Sequence, residues 1–167
     1  MKKIWLALVC ALSIATIAAA QDITIPQLPS TKEEFVKSEP DLIKVADWLE
    51  KTQVTDDGAK KRVLVNAYMV AWLVNSPTVT ITMASSIMKS FDKNAQLLPV
   101  FMGGYARYCL QNNYSTDELK CNMAGMRAVI NCYNLGGDLK KDKALLKVID
   151  LDKDGKLEEW VKEAMKK

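Results

Sequence analysis

Apolar positions recur along this chain at helical spacing and almost nowhere at strand spacing. Leu42, Val45, Ala46 and Leu49 fall at i, i+3, i+4 and i+7, one face of a helix, with Trp48 beside it. Two starts are readable ahead of that stripe. Ser30 and Glu33 form a capping box, and Ser38 followed by Glu39-Pro40 is the stronger signal, because proline suits a first helical turn. Thr55-Asp56-Asp57-Gly58 breaks the pattern and can cap the next helix. Residues 59–75 predict that second helix, with two apolar rows. One row is Val63, Ala67, Val70, Ala71 and Val74; the other is Leu64, Tyr68 and Trp72. Apolar residues on two sides predict a central helix. Ser76-Pro77 ends it.

Residues 78–82 (TVTIT) alternate and are β-branched, a local strand preference. A lone strand has no partner to pair with, so an extended linker is expected there. Residues 83–91 predict a short helix. Residues 95–134 then predict a helical hairpin. Leu98, Phe101, Met102, Tyr105 and Cys109 share a face of its first arm, and Pro99 places the true start nearer Leu97. Ser115 and Glu118 form a capping box for the return arm, whose stripe is Leu119, Met123, Met126, Ile130 and Tyr133. Leu135-Gly136-Gly137 stops it. Residues 142–149 and 156–165 predict two short helices, the last with Leu157, Trp160, Val161 and Ala164 on one face. The pattern predicts an all-α fold: a single-domain, compact helical bundle of five to seven helices.

Residues 1–20 change the picture of where this bundle works. Two lysines, an apolar run and Ala18-Ala19-Ala20 before Gln21 make a secretory signal peptide. Bulky Val9 ahead of Cys10 argues against a lipidation site. The expected division is a leader at 1–20, an extended lead-in at 21–29 and a helical domain at 30–167. No later segment is long and apolar enough to span a bilayer, so a periplasmic or secreted protein is expected. Losing Lys2 and Lys3 with the leader lowers the formal charge from +3 to about +1. Electrostatics therefore favour neither nucleic acid nor an anionic membrane.

The chain has no histidine, which removes Ser-His-Asp and Cys-His catalysis and His-ligated zinc. Three cysteines remain beyond the leader. Cys109 and Cys121 flank the hairpin turn at similar height on facing arms, so a disulfide between them is geometrically reasonable. Cys132 lies three helical turns beyond Cys121 and is expected as a buried, unreactive thiol facing the level of Leu98. No CxxC spacing and no nearby basic cluster in sequence marks any of them as reactive. Gly103-Gly104, in mid-helix, predicts close helix packing or a kink.

Near the C-terminus, DLDKDG at 150–155 followed by KLEEWV resembles the calcium loop of EF-hand proteins. That resemblance implies side-chain oxygens from Asp150, Asp152 and Asp154, a sharp turn at Gly155, a carbonyl from Lys156 and a ninth-position ligand from Glu158. The last position, a bidentate glutamate in the family, is Val161 here. The competing reading is an acidic turn that caps the last helix. Through its leader and through FMGGYARY and KLEEWV, the whole chain resembles uncharacterised small secreted helical proteins of the Bacteroidota, a likeness that carries over no activity or site residue.

Function then divides three ways. The leading expectation is a non-catalytic binding or interaction protein of the cell envelope, inhibitor- or immunity-like, with a protein partner and no cofactor. The alternative is a calcium-binding helical module built on residues 150–158. An enzyme using paired carboxylates ranks below both, because none of the acids falls on an apolar stripe where burial raises a pKa.

Overall fold

The computed structural model describes residues 23–166; residues 1–22 and 167, and with them the expected leader and Cys10, lie outside the described residues. Among the described residues seven α-helices run in order: α1 (Lys32–Lys51), α2 (Ala59–Asn75), α3 (Ser85–Lys89), α4 (Leu98–Gln111), α5 (Glu118–Asn134), α6 (Lys143–Lys153) and α7 (Leu157–Met165). A 3-10 segment, Asp92–Leu97, links α3 to α4. Among the described residues there is no strand, and the all-α bundle is as the periodicity predicts.

The α4–α5 hairpin is the centre, and α1 packs mainly on α4 while also touching α5. Three glycines make this closeness possible. A Cβ on Gly104 would lie 2.6 Å from Ala128 Cβ and 2.8 Å from the Ala124 carbonyl. One on Gly103 would lie 3.1 Å from both Ala46 Cβ and Met69 Cε. One on Gly125 would sit 2.7 Å from the Phe101 ring. The glycine pair thus serves α1 with one residue and α5 with the next, which is the close packing expected of it. Phe91, Phe101 and Tyr105 continue the core as a run of ring contacts.

Several boundaries differ from expectation. α1 starts one residue after the first capping box, with Thr31 and Glu34 as its reciprocal cap, and runs straight through Pro40. The missing Pro40 N–H leaves the Val36 carbonyl without its helical donor, but Val36 is exposed and water can serve it. Ser38 does not start a helix; its hydroxyl donates to the Phe35 carbonyl and accepts the Trp72 indole N–H at 2.7 Å. α5 is capped by Asp117, which accepts from the Lys120 N–H, rather than by Ser115. The Ser115 N–H instead closes the end of α4 on the Cys109 carbonyl. The helix expected at 83–91 is shorter, ending before the non-helical backbone of Asn94. Asn94 is fully buried and exchanges two hydrogen bonds with the Lys140 backbone.

Residues 78–82 are extended and unpaired with any strand, as a linker. They are held by side chains: Tyr105 Oη accepts from the Thr82 N–H, and Asn122 Nδ2 donates to the Thr82 carbonyl.

Candidate functional site

The largest departure from the sequence reading lies on α2. Periodicity alone makes Val63, Ala67, Val70, Ala71 and Val74 a core face. The row faces solvent instead, with Val63 63%, Val70 38% and Val74 76% exposed. Leu64, expected in the second row, is 58% exposed. The buried side is Val65, Tyr68, Met69, Trp72 and Leu73. The reason is area. Of the sides the helix could bury, the one bearing Tyr68, Met69 and Trp72 removes more surface from water, and it goes inside. What remains outside is an apolar stripe at 63, 67, 70 and 74, alternating steps of four and three as in a coiled-coil seam. It is about 16 Å long. No charge lies on it between Lys60 and Asn75, and Ala67 and Ala71 leave its middle flat enough for close approach.

At the opposite edge of α2, Arg62 is buried although it is a cation. Its guanidinium donates to the Leu49 carbonyl at 2.8 Å and the Thr52 carbonyl at 3.0 Å, closing the C-terminal end of α1, and lies over the Trp48 ring. The same group reaches Cys132 Sγ at 3.5 Å. Cys132 is buried as expected, and this arginine is one of its neighbours. Burial pushes the Cys132 thiol up, and the guanidinium opposes that only in part. The sequence offers no sign of this pairing, because the two residues are 70 positions apart.

A second, half-buried cation, Arg107 of α4, binds Asp47 and Glu50 of α1. Glu50 Oε1 also accepts from Asn131 of α5 at 2.7 Å, so one network ties three helices. This carboxylate pair is saturated by its partners, an arrangement suited to holding helices together.

The hairpin turn carries the next cluster. Cys109 and Cys121 are brought together, with Sγ atoms 3.1 Å apart and both side chains buried. Beside them is a cavity of about 260 Å³, lined among others by Thr78, Thr82, Tyr105, Tyr114 and Glu118. Its rim is shaped by Asn113 (φ 54°) and Tyr114 (φ 56°), both in the left-handed region that bulky residues rarely enter. Glu39 of α1 holds that conformation by accepting from the Tyr114 hydroxyl at 3.1 Å and from Thr78 at 2.9 Å.

The acidic turn takes a different shape from the expected loop. α6 does not end at 149; it continues to Lys153, so Asp150 and Asp152 lie in its final turn. Two residues apart on a helix, they point to roughly opposite sides. Asp150 meets Lys153 at 3.3 Å. Asp154 is the C-cap, Gly155 takes φ 71°, and the Gly155 and Lys156 N–H groups return to the Asp152 and Leu151 carbonyls. This is a Schellman stop. The Lys156 carbonyl accepts from Trp160 in the first turn of α7, and Glu158 pairs with Lys162 at 2.6 Å. The five residues are therefore close in sequence but do not converge. Among the described residues no three acidic or cysteine side chains are grouped to hold a metal ion.

Among the described residues no helix is long and apolar enough to cross a membrane. No family model, no curated protein and no solved structure matches this chain.

Proposed function

We propose that this chain is an exported, non-catalytic interaction protein of the cell envelope or exterior, and that it docks a partner helix on the exposed face of α2. The observation that carries this reading is the apolar stripe of Val63, Val70 and Val74, left in water by a helix whose other side is fully buried. Contiguous exposed apolar surface of this kind marks interaction sites. The seam spacing, the small residues at its centre and the convex shape of a single helix suit another helix better than a small molecule. The stripe is uncharged along its length, so the matching stripe on the partner carries no charge either. An inhibitor or immunity protein works by such occlusion and needs no chemistry of its own. The absence of histidine and the engagement of Asp47, Glu50, Asp150 and Glu158 in ion pairs agree with a binding role.

A photo-crosslinking residue at Val74, read in cells that export the protein, tests the reading. The expected result is an adduct of one defined mass that disappears when Val70→Glu is added to a chain whose helical circular dichroism is unchanged. An adduct of twice the chain's own mass would overturn the partner in favour of self-association. No adduct above that at exposed Lys44 of α1 would overturn the docking face itself.

A further inference from the structure

The Cys109–Cys121 contact is independent of the α2 face and lies at the far end of α4. Cys109 borders the cavity under residues 78–82 and is 4% exposed; Cys121 is fully buried, one turn into α5. Their sulfurs, 3.1 Å apart, need only a small approach to reach bonding distance. The backbones are already held for it. Gly104 lets α4 lie against Ala128 and the Ala124 carbonyl, and the Ser115 N–H is fastened to the Cys109 carbonyl. The two cysteines are twelve positions apart, and the loop between them contains both left-handed residues, Asn113 and Tyr114.

We propose that Cys109 and Cys121 are the chain's disulfide, a latch that closes the hairpin turn and fixes the cavity rim, and that Cys132 remains a thiol. The oxidant is a small-molecule or protein disulfide. The Cys109 thiolate attacks one of its sulfurs, forms a mixed disulfide and expels the other sulfur as a thiolate. Cys121 then loses its proton, attacks the Cys109 sulfur and expels the second. The chain gives up two protons and two electrons, and the oxidant disulfide becomes two thiols. Among the described residues Cys132 has no sulfur partner; its neighbours are Arg62 and the Thr52 carbonyl. Burial raises both Cys109 and Cys121, the latter to about 12, so few thiolates exist once the fold is complete. The bridge accordingly forms while the chain folds, and resists exchange afterwards.

The loop it closes also carries the Tyr114–Glu39 hydrogen bond, and through Glu39 the Thr78 end of the linker. The latch therefore sets the geometry of three elements around the cavity.

The test uses the wild-type chain without its leader, residues 21–167, which removes Cys10; it is refolded with oxidised and reduced glutathione, acid-quenched, alkylated under denaturing conditions without reductant, and cut with trypsin. Cleavage after Arg107, Lys120 and Arg127 separates the three cysteines onto different peptides. The expected map has residues 108–120 linked to residues 121–127, with the label on Cys132 alone. Label on both Cys109 and Cys121, or a link made through Cys132, would overturn the proposal. A second measurement compares stability with and without reductant. Reduction should lower the folding equilibrium constant on the order of a hundredfold in the wild type, and leave Cys109→Ser/Cys121→Ser unchanged. An equal effect in both would contradict the latch.

Discussion

At the scale of single residues, the helix interior is governed by how close two backbones must come. Gly104→Ala would gain about 1 kcal/mol of helix propensity. It would also press a methyl group against a carbonyl 2.8 Å away that cannot give. Overpacking of that kind costs about 1–3 kcal/mol and should win. Gly104→Ala is expected to lose up to about 2 kcal/mol in chemical denaturation, while Gly103→Ala, at 3.1 Å from Ala46 and a flexible Met69, should be near neutral. A stabilised Gly104→Ala would contradict the packing. The thiols give a second expectation at this scale. Burial raises Cys109, Cys121 and Cys132 above the ordinary value of 9.0. Between pH 9 and 10 the unfolded chain therefore releases thiol protons that the folded chain keeps, and stability falls as pH rises. Below pH 9 that contribution is fully present. Melting temperature followed against pH should fall more steeply in this window for the reduced protein than for the bridged one, which retains only Cys132. Identical slopes would show that Cys109 and Cys121 are not buried thiols in the reduced fold. Tyr68 and Tyr105, raised to about 12, add the same trend above pH 10 in both forms.

At the scale of elements, the sequence carries most of the helices and misassigns one face. The stripe of α1 (Leu42, Val45, Ala46, Leu49) is buried as its spacing predicts, and so is that of α7 (Leu157, Val161, Ala164) except for half-buried Trp160, because each helix has one apolar row and no choice. α2 has two, and periodicity cannot rank them; only the area each row removes from water can. Proline misleads at Pro40, where an exposed turn tolerates the lost hydrogen bond. The acidic turn shows the same limit. DLDKDG holds the side chains of a calcium loop, but Ile149 and the buried stripe before it keep α6 helical through Lys153. Calcium binding at Asp150, Asp152, Asp154, Lys156 and Glu158 requires that final turn to unwind. At millimolar calcium the melting temperature should not move. A rise that Asp152→Ala removes would show that the turn reorganises around the ion. Contacts across long sequence separations, such as Arg62 with Cys132 and Arg107 with Glu50, leave no local signal, because each partner alone is unremarkable in its own helix.

At the scale of the whole molecule, the bundle separates holding from binding. α1, α4 and α5 pack on one another, tied by glycine contacts, by the Arg107–Glu50–Asn131 network and, as proposed, by one disulfide at the turn. That centre is committed to its own contacts. α2 packs one side onto this frame and presents the other, so its exposed stripe is held rigidly without being needed for the core. A rigid, preformed apolar face lowers the ordering cost of docking a helix. The arrangement thus accounts for a row of valines in water that stability alone would not select.

A scan of photo-crosslinking residues through every exposed position of α2 tests this most directly. Adducts peaking at 63, 67, 70 and 74, and low at the exposed positions 64 and 75 beside the stripe, are the predicted result, since a partner helix laid along the seam reproduces its spacing. A flat profile, or a peak on another element, would contradict the docking face.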